Sequence, residues 1–317
     1  MMRVVSLFCG AGGLDLGLKQ AGLDIIWAND IYADAIDTYS KNIGSHALLA
    51  DISQVDSNSI PDCDVVVGGF PCQGFSVANM NRKADDPRNK LYLEMVRVIR
   101  DKKPRFFIAE NVKGILSLDK GKVIEKIKDD FAELGYKVEY KLLNCADYGV
   151  PQTRMRVIIL GVRQDTNSIV NFPPEPTHAK EGELLPKWKT IGEALSHFPE
   201  PEHGAHILNH VCSAFKLKFN GHLGHRTIDP NKPSPTITGR GDEKGGVVVL
   251  HHPGNHRRIT VREAACIQSF PDNFEFCGSK TSGYRQIANA VPPKLGYALG
   301  KMLLAEVQEA QTHKECA

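Results

Sequence analysis

The first 165 residues alternate short apolar runs with amphipathic stretches, and few folds accommodate that alternation. Apolar runs rich in Val, Ile and Leu suit strands buried on both faces, and strands separated by helical segments are joined by crossovers. The pattern predicts an α/β fold with a doubly wound, mostly parallel sheet. Predicted strands are Arg3–Phe8, Asp24–Asn29, His46–Ala50, Asp64–Gly68, Arg105–Ala109, Lys137–Leu143 and Arg156–Val162. The clearest helix is Lys122–Leu134, where Val123, Ile127, Phe131 and Leu134 recur on one face and Gly135 supplies a stop.

The character of the chain changes at Asn171. Asn171-Phe-Pro-Pro-Glu-Pro-Thr177 is incompatible with a helix, nine of the twelve histidines fall between His197 and His256, and periodicity is poor. A small loop-rich domain over 173–258 is predicted, inserted into a first domain built from 1–172 and 259–317. Helical signals return with the capping-box spacing Thr260-Val-Arg-Glu263, and Pro292-Pro293 opens a last helix striped by Leu295, Leu299, Met302 and Leu303.

Charge follows the same division. The whole chain has 39 Lys+Arg against 37 Asp+Glu, a formal +2, yet residues 205–258 hold eight cations (Lys216, Lys218, Arg226, Lys232, Arg240, Lys244, Arg257, Arg258) and three anions (Asp229, Asp242, Glu243). That local +5 leaves −3 for the rest and points the segment at a polyanion. The eight cysteines form no CxxC pair, which excludes a disulfide framework and a zinc ribbon. The spacings His203-x2-His206-x3-His210 and His222-x2-His225 offer metal ligands without the paired cysteines of structural zinc sites. Contacts to phosphates and base edges are the preferred reading of these histidines, and no metal is predicted. No apolar run approaches the ~18 residues of a membrane span, and the N-terminus lacks a signal-peptide core, so a cytoplasmic, monomeric protein without a membrane partner is expected.

Strand one runs into Cys9-Gly10-Ala11-Gly12-Gly13 ahead of a helix near Leu14. Asp30 closes strand two, twenty residues after Gly10, and Asp51 closes strand three. An acid at that distance accepts from ribose hydroxyls in nucleoside-binding folds, and Asp51 would then face an adenine amino group. Each acid alone reads as readily as a helix cap. With the glycines they favour a nucleoside-containing cofactor, and the missing Lys-Ser/Thr weakens an ATP reading. On the chemical side, strand four leads into Gly68-Gly-Phe-Pro-Cys72-Gln-Gly-Phe-Ser76 and strand five into Glu110-Asn-Val112. In a doubly wound sheet these strands lie beside strand one, so Cys72 and Glu110 converge at the carboxyl ends. Burial is the common fate of a cysteine, but glycines and the polar Gln73 and Ser76 mark an exposed loop.

Ser6-Leu-Phe-Cys-Gly-Ala-Gly-Gly13, Gly69-Phe-Pro-Cys-Gln73, Glu110-Asn-Val112, Gln152-Thr-Arg-Met-Arg156 and Arg285-Gln-Ile-Ala-Asn-Ala-Val-Pro292 closely resemble, in order and spacing, the bacterial DNA (cytosine-5) methyltransferases of restriction–modification systems. The resemblance spans residues 1–165 and about 226–300, and places the family's target recognition domain between them. It implies a class I methyltransferase fold and S-adenosyl-L-methionine as methyl donor. Cofactor positions carried over are Phe8, Gly10, Ala11, Gly12, Gly13, Leu14, Asp30, Ile31, Asp51, Ile52, Pro71, Leu91 and Asn289. Cys72 becomes the nucleophile for cytosine C6, Glu110 the acid at N3, and Arg154 and Arg156 a pair beside O2. The partner implied is duplex DNA with the target cytosine flipped out. Gln73, Ser76, Arg82 and Arg88 on a closing loop, with Arg226, Arg240 and Lys244 in the recognition segment, are the candidate DNA contacts. A cognate restriction endonuclease would act separately. Three departures stand out: Ile31 where many relatives carry an aromatic residue, Ala288 for the more usual Gly, and Ser6 for a common Asp. A tRNA cytosine-5 methyltransferase of the same fold and a catalytically silent DNA-binding protein are the alternatives.

Overall fold

In the computed structural model, residues 1–71, 90–166, 168–204, 206–212, 216–222, 224–239 and 247–315 are described, the side chains of 90, 247 and 307–315 excepted. Cys72, Gln73, Ser76, Arg82, Arg88, Arg240 and Lys244 therefore lie outside the described residues.

The elements run β1 (Arg3–Leu7), α1 (Gly13–Ala21), β2 (Asp24–Asp30), α2 (Ala33–Asn42), β3 (Ala47–Leu49), β4 (Val65–Gly68), α3 (Lys90–Lys102), β5 (Phe106–Val112), α4 (Lys122–Ala132), β6 (Tyr136–Asn144), β7 (Met155–Arg163), α5 (Ile191–Leu195), β8 (Thr238–Gly239), β9 (Val247–Val248), α6 (Val261–Ile267), α7 (Lys280–Asn289) and α8 (Pro293–Glu315). Seven strands form one sheet in the order β3-β2-β1-β4-β5-β7-β6. All neighbours are parallel except β7, which runs antiparallel to both β5 and β6. The order reverses between β1 and β4, where a doubly wound sheet opens its ligand crevice.

Each face of the sheet has its own core. Val4, Val65, Val67, Phe106, Ile108, Ile158 and Leu160 point to the side covered by α1 and α8. The alternate residues Val5, Val66, Phe107, Val157 and Ile159 meet α3 and α4 on the other. The period of two along each strand distributes them, and burial of both faces explains why the strands read as unbroken apolar runs. The last helix packs along α1 with almost no side chain between them: a Cβ on Gly17 would stand 2.1 Å from the Pro293 carbonyl oxygen, and one on Gly13 2.3 Å from that of Val291. The C-terminal segment thus completes the first layer.

A third cluster joins Ala11, Ala28, Tyr39 and Ile43 to Ile191, Leu195, Ile228, Ile237, Leu250 and the apolar faces of α6 and α7. It is the seat of the loop-rich segment, where regular structure is limited to α5 and the β8–β9 pair among the described residues. Both helices entering it start with a capping box, Thr190 with Glu193 and Thr260 with Glu263. No helix is long and apolar enough to cross a membrane.

Candidate active site

The turn after β1 is made by residues in the left-handed region: Phe8, Gly10 and Gly12 have φ of 54°, 54° and 82°. The two glycines serve different ends. A Cβ on Gly12 would come within 2.1 Å of Ile43 Cδ1, so Gly12 is required by packing against α2. A Cβ on Gly10 would meet nothing within 4 Å, so that stretch of backbone faces open space. The Gly10 amide donates to Asp30 Oδ2 at 2.8 Å, and the Tyr32 amide donates to Oδ1 at 3.0 Å. Burial raises the Asp30 pKa, and these amide bonds oppose the rise. Each carboxylate oxygen accepts more than one bond, so Asp30 holds the turn and retains lone pairs for a ligand hydroxyl.

Around this turn the rim offers a mixed apolar and polar surface. Ile31 is 59% exposed beside Asp30, and Phe8 and Leu91 are half-buried against the α3 side of the core. Asp51 is a cap, its Oδ1 accepting from the Ser53 amide at 3.0 Å, and its side chain is exposed. Ile52 is a core residue, and its carbonyl accepts from Arg97 Nη2 at 2.9 Å, so neither its side chain nor its carbonyl is presented to a ligand. Ala11, Gly12, Gly13 and Leu14 are buried and supply backbone only. Asn289, exposed at the end of α7, lies with Oδ1 3.3 Å from the Cβ position of Gly239. An open glycine backbone, a buried acid with spare acceptors and an exposed apolar side chain fit a nucleoside moiety.

The chemical side is assembled by β4, β5 and β7. Glu110, on the last turn of the ladder in β5, is paired with Arg156 on β7: Nε lies 2.6 Å from Oε1, and both side chains are 11% exposed. A second guanidinium nitrogen of Arg156 donates to the Met155 carbonyl at 2.8 Å. The other carboxylate oxygen, Oε2, lies 3.0 Å from the Cβ position of Gly69, so a larger residue there would crowd it. Asn111 Nδ2 donates to the Phe70 carbonyl at 3.0 Å and Asn111 Oδ1 accepts from the Val112 amide. The β4 loop is thereby tied to Glu110 up to two residues before Cys72. Behind the ion pair sits Cys145, wholly buried, its thiol pushed up to about 11 by that burial.

Arg154 does not join Arg156. The Arg154 side chain is fully buried, with its guanidinium donating to the carbonyls of Ile237 (2.9 Å), Ala288 (2.6 Å) and Ala290 (3.1 Å). The two arginines expected to act together are thus separated, because Arg154 precedes β7 and belongs to a segment paired with residue 234 of the loop-rich segment. Two glutamines extend the clasp. Gln152 Oε1 accepts from the Ile237 amide at 3.0 Å, Gln152 Nε2 donates to Gln268, and Gln268 Nε2 reaches the carbonyls of Ile287 (3.1 Å) and Ala290 (2.8 Å). The loop-rich segment at Ile237 and the end of α7, with Asn289, are therefore fastened to one buried polar network. Nothing in the spacing marked Gln268 for this part.

In the loop-rich segment Arg226 is exposed. Arg257 is not a free cation: it pairs with Glu200 (2.6 Å) and Glu263 (2.7 Å). Lys232 pairs with Asp229 at 3.2 Å. His210, the last ligand of the suggestive histidine spacing, is 1% exposed and uses both nitrogens, one with Thr260 Oγ1 and one with the Pro199 carbonyl, each at 2.9 Å. The carbonyl only accepts, so Nε2 carries the proton and Nδ1 accepts from the Thr260 hydroxyl.

With this geometry in view, the relatives are informative. The family model for C-5 cytosine-specific DNA methylase matches residues 2–305. The Type II methyltransferase M.NgoFVII of Neisseria gonorrhoeae is 41% identical, the match covering 95% of this chain and 86% of that one. The Type II methyltransferase M1.HphI of Haemophilus parahaemolyticus is 37% identical over 96% and 87% respectively. Among solved structures, a candidate DNA modification methyltransferase encoded within an E. coli prophage superposes with a TM-score of 0.75 at 27% identity, covering 97% of this chain and all of that one. The S. pombe Dnmt2 methyltransferase, at 24% identity and a TM-score of 0.72, shares the fold. The chain belongs to the C-5 cytosine-specific DNA methylase family.

Proposed function

We propose that the protein methylates C5 of a flipped-out cytosine in a short duplex DNA sequence by a covalent route through Cys72, as the modification partner of a restriction endonuclease that acts separately. The observation that supports this most strongly is the Glu110–Arg156 pair, closed in at the end of β5 and beside the loop that leads to Cys72. The residues around Gly10, Asp30, Ile31 and Asn289 would hold S-adenosyl-L-methionine, which supplies an electrophilic methyl group on its sulfonium sulfur.

The chain's own residues prepare the base. The Cys72 thiolate adds to C6, forming a carbon–sulfur bond, and the displaced electron pair moves toward N3. Glu110 delivers a proton to N3, leaving a neutral enamine whose C5 is nucleophilic; a general acid of this kind contributes ~10²–10⁴-fold. The Nη2 amine of Arg156 makes no hydrogen bond among the described residues and is the donor for cytosine O2. Asn111, holding the Phe70 carbonyl, fixes the chain two residues before Cys72. After methylation, water removes the proton from C5, the electrons expel Cys72 as thiolate, and the N3 proton returns to the Glu110 carboxylate, which restores neutral 5-methylcytosine and the free acid. Arg226, with Gln73, Ser76, Arg82, Arg88, Arg240 and Lys244, supplies the DNA contacts.

Bisulfite sequencing of DNA incubated with the purified protein and S-adenosylmethionine tests this reading. Protection of one cytosine in one short sequence is expected. Unprotected DNA, or methylation of tRNA in preference to duplex DNA, would overturn it.

A further inference from the structure

Three side chains remote in sequence meet on the surface where α5 approaches α6. His197 follows α5, Cys266 lies near the end of α6, and Asp272 is in the turn that follows. Their ligand atoms all lie within 4.8 Å of one another. His197 Nε2 is 2.9 Å from Asp272 Oδ2, and the two side chains are 50% and 56% exposed. The Cys266 thiol is half-buried and donates to the Ala194 carbonyl at 3.2 Å. The His197 ring lies 4.0 Å from that of Phe198, which stacks at 5.5 Å on the doubly hydrogen-bonded His210, so the floor under the site is firm.

We propose that His197 Nε2, Cys266 Sγ and Asp272 Oδ2 form a binding site for one zinc-type divalent cation, with water as fourth ligand. Bond lengths of ~2.0–2.3 Å at a tetrahedral centre separate ligand atoms by roughly 3.3–3.6 Å, which lies between the 2.9 Å of the His197–Asp272 contact and the 4.8 Å within which all three atoms fall. The donor set selects the metal class: one sulfur and one imidazole suit zinc, cobalt or nickel and are poor ligands for magnesium or calcium. Charge balances as well. Binding releases the Cys266 proton to solvent, and thiolate plus carboxylate neutralise the dication, while His197 binds as a neutral ring with its proton on Nδ1.

The surroundings suit a site that is inert until loaded. The nearby cations are engaged elsewhere. Arg262 donates to the carbonyls of Leu208, Pro271 and Phe274, and Lys294 Nζ donates to the Gly149 carbonyl at 2.9 Å. The site brackets Gln268, the residue that clasps Gln152 to the end of α7. A cation here would brace the turn that carries this clasp and pin α5 against it.

Titration of the full-length protein, stripped of metal, with Co²⁺ alone tests the site. One equivalent should produce tetrahedral ligand-field bands together with a thiolate-to-cobalt charge-transfer band, and zinc should abolish both. Cys266→Ser should lose the charge-transfer band, while Cys212→Ser keeps it. His197→Ala, at an exposed position, should weaken cobalt binding by at least about tenfold, the loss that even a supporting residue of a metal site causes. Absence of the bands in the unaltered protein, or their persistence in Cys266→Ser, would overturn the assignment, as would unchanged affinity in His197→Ala.

Discussion

Glu110 is held by the Arg156 guanidinium at 2.6 Å, with room beside its other oxygen only because Gly69 has no side chain, while Arg154, two residues from Arg156, is spent on three backbone carbonyls. The two positions should fail differently when altered. Glu110→Gln keeps the shape and removes the proton, so turnover should fall by ~10²–10⁴ with cofactor affinity within about twofold. Arg154→Leu leaves buried carbonyls without donors and should cost about 3 kcal/mol or more of stability in denaturant titrations. Asp15 gives a third test. It is fully buried under the glycine turn, accepts from Ser6 Oγ at 2.7 Å and Tyr39 Oη at 2.8 Å, and burial raises its pKa from 3.8 to about 6. The folded chain therefore holds this proton more tightly than the unfolded chain, and stability should drop as pH rises from 3.8 to about 6, then level off. The drop is of order 3 kcal/mol, and urea midpoints of Asp15→Asn should lack that part of the slope. Ser6 also explains one departure from the family pattern: where an Asp is common, this chain has a hydroxyl donating to a carboxylate nine residues on.

All seven predicted strands are present: β1, β4, β5 and β7 are runs buried on both faces, while β3 and β6 at the two edges of the sheet are partly exposed. Helix α4 ends at Ala132, two residues before the predicted end, and Gly135 takes the left-handed conformation expected of a stop, with φ 87°. Thr260 caps α6 as its spacing indicated. What the sequence could not show is how closely α1 and α8 approach, since Gly13, Gly17 and Gly296 read as turn or flexibility signals until their neighbours are seen. Gly17→Ala would drive a methyl group into the Pro293 carbonyl 2.1 Å away and the Tyr297 amide nitrogen 2.5 Å away. Neither is a movable side chain, so α8 must shift. Thermal unfolding should register a loss of about 1–3 kcal/mol or more, with cofactor binding weakened through the displaced Asn289. The different surroundings of Arg154 and Arg156 follow from where β7 begins, at Met155, which leaves Arg154 outside the strand.

Across the whole molecule, the charge division seen in the sequence is smaller than its count. Of the eight cations in residues 205–258, Arg257 is neutralised by Glu200 and Glu263, both outside that window, and Lys232 by Asp229. Arg226 stays exposed. Replacing Arg226 with Ala should therefore reduce the slope of log affinity against log salt by about 0.9, the value for one phosphate contact. Arg257→Ala should leave that slope unchanged and lower stability, because two carboxylates lose their partner. That the glycine turn, Asp30 and Glu110 would share one rim was legible in sequence, because chain order places them at strand ends of one sheet. The Gln152–Gln268 clasp and the His197–Cys266–Asp272 group were not, since each joins residues brought together only by the return of the chain after the recognition segment. The central claim is that Cys72 attacks the base covalently, and DNA carrying 5-fluorocytosine at the target tests it most directly. Fluorine at C5 cannot leave as a cation, so the adduct should persist as a denaturation-resistant protein–DNA complex, formed by the unaltered protein and absent in Cys72→Ala. No trapped complex, or one that forms equally well without Cys72, would contradict it.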